Sequence, residues 1–482
     1  MSPLVRAAVS STVFMTLLGP GSAEALQESP DPDGIVGTWE GVLEAAGLRL
    51  VFHLEADDDG AFAGTMDSPD QGATGIPATS VTFESGTLVF AVQTLGMRYE
   101  ATLSEDGATL EGTFTQGAAQ LPLVLTRVAE ASQPDRPQNP QPPFPYDVQD
   151  ALVDNPRAGV TLSATITTPR GSGPVPAVVL VSGSGPQDRD EALMGHRPFL
   201  VLADHLTRAG IAVLRYDDRG VGRSTGDFAA ATSEDFASDA LAAVAHLERL
   251  PGIGPVGIVG HSEGGLVGPM AAADDDRVDF VVMMAGPGLT GAEIIDLQSE
   301  LINRAEGTPE EIIQHNRRTQ EQLFDIVATE ADPSAAAPKL RAVLRASIEQ
   351  LPQDVRDQMG ASAGAQAIEA QVQQMNSPWI RFFLFYDPRP TLERVTVPVL
   401  ALNGEKDLQV PAEANLKEVA AALERGGNTD ATTLLLPGLN HLFQEAETGS
   451  PNEYALIEET MNPAALEAIS SWILARFGAQ MR

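Results

Sequence analysis

The most constraining stretch of this chain is Gly260-His261-Ser262-Glu263-Gly264. The apolar run Val256-Gly257-Ile258-Val259 precedes it, and the small-residue segment Gly265-Leu266-Val267-Gly268 follows. The pattern reads as strand, sharp turn and helix with a serine at the apex. A serine held in so tight a turn brings its neighbours' Cβ positions into collision, so glycine is the residue that fits on either side. Such a serine is a candidate nucleophile, and a serine nucleophile needs a base and a group to orient that base.

In an elbow of this kind the acid and then the histidine follow the serine. The acid belongs just beyond a late buried strand, and Val397-Pro398-Val399-Leu400-Ala401-Leu402-Asn403 is such a run. It opens into Gly404-Glu405-Lys406-Asp407, where Asp407 lies deeper in the turn after the glycine and is preferred to Glu405. The next strand pattern, Thr432 to Leu436, leads into Pro437-Gly438-Leu439-Asn440-His441, and His441 is the sole histidine beyond Asp407. His261 adjoins the serine, but its side chain leaves the elbow on the other side and is not the base. Taken alone, Asp407 is an ordinary turn former and His441 an ordinary loop histidine; their order behind successive strands points to a triad.

Stabilising a developing oxyanion takes two preorganised N–H donors. One is the amide after the nucleophile, that of Glu263. The other is expected from the loop Ser182-Gly183-Ser184-Gly185-Pro186 behind the strand Ala177-Val178-Val179-Leu180-Val181. The Ser184 amide is the first choice and that of Gly185 the second; a plain Gly/Ser turn is the competing reading.

Together, Gly183-Ser184-Gly185-Pro186-Gln187-Asp188-Arg189-Asp190, Asp218-Arg219-Gly220-Val221-Gly222-Arg223-Ser224, the Gly-His-Ser-Glu-Gly-Gly elbow and Gly404-Glu405-Lys406-Asp407 resemble bacterial α/β-hydrolases of the EstD-type carboxylesterase group. These are neighbours of the serine aminopeptidase-like hydrolases. The resemblance covers about residues 147–480. It implies an α/β-hydrolase fold, a mostly parallel sheet with helices on both faces. It also implies ester hydrolysis through an acyl-serine, with Ser262, Asp407 and His441 as the matching triad and no cofactor.

Organisation along the chain is consistent with that. Residues 1–25 read as a secretory signal peptide: Arg6, an apolar stretch from Ala7 to Leu18, then Ala23-Glu24-Ala25 as a cleavage site. The expected location is therefore periplasmic or secreted, with an uncleaved anchor as the competing reading. Residues 26–128 carry short alternating runs separated by turn signals, such as Leu48 to Leu54, Thr87 to Val92 and Leu110 to Phe114. About eight strands imply a small antiparallel barrel or sandwich, and Gly37-Thr38-Trp39-Glu40-Gly41 resembles the opening strand of a lipocalin-like barrel. Residues 129–146 read as a proline-rich, semi-stiff linker. Residues 147–482 alternate strands with helices, except for helical, strand-poor sequence over about 289–385, where a cap insertion is expected. Its closing segment, Trp379 to Tyr386, lines a pocket or packs the cap onto the core.

Asp217, Asp218 and Arg219 are read as a structural brace beside the elbow, and Asp188-Arg189-Asp190 either as a loop lock or as an amine-recognition site. No acid-rich run has calcium-loop spacing and no H-x-x-x-H or H-E-x-x-H occurs, so no metal site is expected. Acidic residues number 66 against 30 basic ones, a net charge of −36. Such a field repels nucleic acid and anionic membranes, and adaptation to salty surroundings would account for it. The expected partner is a small-molecule ester; the oligomeric state is not legible. Competing functional readings are a peptidase, with Glu263 or Asp188 capturing a substrate amine, and a non-catalytic binder in which the barrel does the work.

Overall fold

The structure, a computed structural model, describes residues 34–478 apart from 45–47, 58–59, 70–72, 117–118, 130, 132–135, 172, 354 and 357–363. The signal-peptide reading lies outside the described residues. The chain divides into two compact units.

The first unit, which also takes in the described residues of Leu344–Gln371, contains one antiparallel sheet built from β1 (Gly37–Leu43), β2 (Leu48–Ala56), β3 (Phe62–Ser68), β4 (Ala73–Pro77), β5 (Ser80–Glu84), β6 (Thr87–Val92), β7 (Met97–Leu103), β8 (Thr109–Gln116) and β9 (Ala119–Val128). Their spatial order is β4-β3-β2-β1-β9-β8-β7-β6-β5. The strands at the two ends of that order are consecutive in the chain, joined only by Ala78 and Thr79. The Ala78 amide donates to Gly64 O (2.9 Å) and the Thr79 amide to Ala91 O (2.7 Å), tying the connection to β3 on one side and β6 on the other. The chain itself thus bridges the two end strands, although among the described residues β4 and β5 form no ladder with each other. Alternation sends Trp39, Phe52, Phe90 and Tyr99 inward, all fully buried. The ring centroids of Phe52 and Phe90 lie 4.7 Å apart. Two polar atoms in this apolar core are satisfied by carbonyls, as burial demands: Trp39 Nε1 donates to Ile35 O (2.8 Å) and the Tyr99 hydroxyl to Leu110 O (2.8 Å).

The second unit holds an eight-stranded sheet formed by β10 (Asp147–Asn155), β11 (Val160–Thr168), β12 (Val175–Val181), β13 (Ala212–Tyr216), β14 (Ile253–His261), β15 (Phe280–Met284), β16 (Val399–Gly404) and β17 (Ala431–Leu436). The order is β10-β11-β13-β12-β14-β15-β16-β17. The first two pairings are antiparallel and the rest parallel. Parallel strands must be covered on both faces, which is why β12 and β15 are unbroken apolar runs. Helices α1 (Pro198–Ala209), α2 (Ser233–Leu247) and α3 (Gly264–Asp274) come before β15. Between β15 and β16 the described chain forms α4 (Gly291–Ala305), α5 (Glu310–Thr329), α6 (Pro333–Gln350), α7 (Ala365–Met375), α8 (Pro378–Phe383) and α9 (Arg389–Leu392). Helix α10 (Ala412–Arg425) links the last two strands, and α11 (Pro463–Phe477) follows them. Phe199, Leu202 and Leu206 of α1 share one core with Ile469, Trp472 and Ile473 of α11 and with Val178 and Leu180 of β12.

Two features depart from the sequence reading. Thr161 to Thr167 alternates in the sequence and reads as an early edge strand, but β11, which contains it, is covered along its whole length by β10. The proline-rich stretch is not a free spacer from Arg136 onward. Arg136 is buried and donates to the carbonyls of Ile457 (2.7 Å), Met194 (2.9 Å) and Ala455 (2.8 Å). Gln138 is bonded to Met461 O (2.7 Å) and accepts from the Met461 amide (3.0 Å). No described helix is long and apolar enough to cross a membrane.

Candidate active site

Ser262 lies between the end of β14 and the start of α3, with φ = 52°. Left-handed backbone at a non-glycine residue costs free energy, and a serine there is held by its surroundings. The two flanking glycines show what holds it. A Cβ at Gly260 would fall 1.9 Å from Gly264 O, and one at Gly264 would fall 2.0 Å from Val181 O. Helix, nucleophile strand and β12 approach so closely that a methyl group at either position is excluded. The Ser262 amide is itself occupied, donating to Met284 O at 2.8 Å.

The loop after β12 runs against this turn: a Cβ at Gly183 would sit 3.2 Å from Ser262 Cβ. Gly183 N–H is taken by Glu191 Oε1 (2.7 Å). Among the described residues, the amides of Ser184, Gly185 and Glu263 have no acceptor in the protein. They are therefore N–H groups free to receive charge, with Glu263 at the N-terminus of α3, where backbone donors and the helix dipole favour an anion.

Asp407 and His441 meet directly, Nδ1 to Oδ2 at 2.8 Å, and both are buried. Asp407 Oδ1 accepts the amides of Gln409 and Val410, each at 2.8 Å, which fixes the carboxylate in its turn. A carboxylate on Nδ1 places the proton there and leaves Nε2 free to accept. The His441 loop is shaped by Asn440, whose Oδ1 accepts from the amides of Leu442 (3.0 Å) and Gln444 (2.9 Å). Glu405, the rival acid, instead accepts the Gly438 amide at 2.9 Å.

Around this centre the charged motifs are engaged with the protein. Arg189 chelates Asp217, and Arg219 binds Asp239 (2.7 Å) and Asp235 (3.1 Å). Asp218 accepts from Ser182 Oγ (3.2 Å) and the Gln187 amide (2.9 Å), and burial pushes its carboxyl well above the usual range. Asp188 accepts the amides of Asp190 and Ala192 in its own turn. Glu263 is buried; its Oε1 accepts from Ser233 Oγ (2.6 Å) and Trp379 Nε1 (2.7 Å). Burial raises its pKa against these bonds. Trp379 belongs to α8, so the helical segment between β15 and β16 reaches the residue next to Ser262. Sequence reasoning did not single out Glu191; nothing in its local sequence distinguishes it from a solvated loop glutamate. Among the described residues no group of His, Asp or Glu is arranged to hold a metal ion.

An elbow serine just after β14, at the carboxyl end of a parallel sheet, is the arrangement of the α/β-hydrolases. The chain belongs to the alpha/beta hydrolase family, whose model matches residues 178–455. A curated relative is Esterase EstD of Thermotoga maritima, 28% identical over 322 residues. The alignment spans 65% of this chain and 65% of that protein. The resemblance to the EstD-type group is thereby upheld. Solved structures similar to this chain include Est1E from Butyrivibrio proteoclasticus, shown with ferulic acid (17% identity, 67% of this chain and 98% of that one, TM-score 0.37). Another is the Pyrococcus furiosus esterase Pf2001 (13% identity, 72% and 99%, TM-score 0.42).

Proposed function

We propose that this chain is a serine hydrolase of carboxylic esters working through an acyl-serine intermediate. The observation that carries the reading is the 2.8 Å contact of His441 Nδ1 with Asp407, in the unit whose elbow serine is held at φ = 52°. His441 Nε2 takes the proton of Ser262 as Oγ attacks the acyl carbon. Asp407 holds the ring and balances the imidazolium that forms. The oxyanion is received by the Glu263 amide and by that of Ser184 or Gly185. The alcohol leaves with the proton from His441, and water, activated by the same base, releases the acid and restores Ser262.

On this reading the helices between β15 and β16 act as a cap, with Trp379 beside the reacting end of the ester, and the protein works after export from the cytoplasm. Ester rather than peptide substrates are favoured by the state of Glu263 and Asp188. An aminopeptidase needs a free carboxylate for the substrate amine, and these two are spent on internal donors.

The test is a panel of p-nitrophenyl esters of graded chain length beside aminoacyl-p-nitroanilides, with fluorophosphonate labelling. Turnover of esters and labelling at Ser262 alone are expected, and Ser262→Ala should lose about a millionfold in kcat. A folded protein that neither labels nor turns over would support the non-catalytic binder.

A further inference from the structure

Glu191 and His261 stand outside the triad, yet their side-chain bonds to Gly183, to each other and to the His441 main chain each end one residue from a proposed reacting group or on one. Both are buried. Glu191 has φ = 52° in the turn that follows the Gly183 loop, a backbone state that is costly for a side chain of its size. Its Oε1 accepts the Gly183 amide at 2.7 Å and lies 2.9 Å from His261 Nδ1. On the other side of that ring, Nε2 lies 3.0 Å from the main-chain oxygen of His441. The second carboxylate oxygen, Oε2, is buried without a protein partner among the described residues.

The proton count decides the state of the ring. A carboxylate and a peptide carbonyl can only accept, so both bonds form together only if both imidazole nitrogens carry protons. Burial alone would strip the charge, but the Glu191 carboxylate outweighs it and His261 is raised above its ordinary pKa, with Asp407 contributing in the same direction. The ring also lies against the rings of His441, at 4.8 Å between centroids, and the uncharged Phe443, at 6.3 Å.

Resting on the triad reading above, we infer that Glu191 and His261 form a buried carboxylate–imidazolium pair that positions the three reacting segments. Gly183 immediately precedes the oxyanion donor Ser184, His261 immediately precedes Ser262, and the third contact is His441 itself. One pair thus sets the spacing of oxyanion loop, elbow and base loop, where an error of an ångström costs up to about a hundredfold in rate. Its own charges cancel, so it holds the site without adding net charge beside His441. Both residues are positioning residues: neither touches the reacting atoms.

Two measurements on the full chain test this. In ¹⁵N-histidine-labelled protein, His261, identified by the signals lost in His261→Asn, should show two ring N–H protons from about pH 6 to 8, where an ordinary histidine has lost one. A single N–H on that ring, the pattern of a neutral imidazole facing either a carboxylate or a protonated Glu191, would overturn the pair. In kinetics, Glu191→Gln keeps the side-chain shape but removes the counter-charge. Its kcat should fall about ten- to hundredfold with KM little changed, and the doubly protonated ring signals should disappear. If Ser262→Ala is inactive while Glu191→Gln stays within about twofold of wild type, the positioning inference fails and the triad stands. If Ser262→Ala stays active, the triad reading itself fails. Should Glu191→Gln not fold, the ring protons of the wild type still decide the matter.

Discussion

Asp407 and Glu405 stand two residues apart on one loop and do different things with their carboxylates. Asp407 divides its oxygens between two backbone amides and the imidazole, whereas Glu405 braces the turn at Gly438. Asp407→Asn should therefore lower kcat by about ten-thousandfold, as expected when the base loses the group that sets its tautomer. Glu405→Gln should change kcat only a few-fold, since an amide oxygen can still accept the Gly438 N–H. Steady-state kinetics of the two variants against one p-nitrophenyl ester checks both, and a severe Glu405→Gln would move the acid role there. The pairing of Asp407 with His441 was legible because a base and its orienting acid are expected in a fixed order behind successive strands. Glu191 was not legible. Its significance comes from three segments meeting in space, at sequence positions 183, 261 and 441, and no local pattern encodes that meeting.

At the level of elements, buried strands were legible from apolar runs; β12 contains the run Ala177–Val181. The covering strand β10 was missed because its sequence, Asp147-Val-Gln-Asp-Ala-Leu-Val-Asp-Asn, is polar and largely exposed, so little apolar periodicity marks it. Helix starts are set by caps rather than by apolar periodicity. Thr232 and Thr290 form capping boxes with Asp235 and Glu293 ahead of the apolar positions on which the periodicity rests. The β unit is a different case: Ala78 and Thr79 tie together its two end strands, β4 and β5, a connection that strand counting does not reveal. Helix α8 supplies an element-level prediction. Trp379→Phe keeps the ring stack on Phe383, whose centroid is 4.9 Å away, but removes the N–H given to Glu263. A buried carboxylate losing one donor should cost about 1.5–3 kcal/mol, read as a lowered melting temperature in a thermal scan. An unchanged melting temperature would show that this bond does not anchor α8. The docked stretch from Arg136 supplies another. Of two N-terminal deletions, one ending at residue 135 keeps the bonds of Arg136 and Gln138, and one ending at residue 140 loses them. The longer deletion should melt at the lower temperature, because it leaves the carbonyls of Ala455, Ile457 and Met461 without those donors. Equal melting temperatures would return this stretch to the status of a spacer.

The whole molecule carries 66 acidic and 30 basic residues, so even complete one-to-one pairing would leave 36 acids without a cation. The described cations are already shared. Arg389 alone serves Glu293, Asp387 and Glu418, and Arg317 serves Asp296 and Glu300. Salt acts on this balance in two opposing ways. It weakens exposed ion pairs, each of which contributes at most about 1 kcal/mol. It also screens the mutual repulsion of the unpaired carboxylates, whose range shrinks from about 10 Å at 0.1 M to about 3 Å at 1 M. The surplus of acids decides between the two, because a folded chain concentrates like charges that the unfolded chain spreads apart. The melting temperature should therefore rise as sodium chloride is raised toward about 1 M, and sodium sulfate should raise it further through exclusion from the surface. A thermal melt series in both salts measures this. A flat or falling curve in sodium chloride would mean that the acids are balanced locally by the arginines, and would remove the case for adaptation to salt.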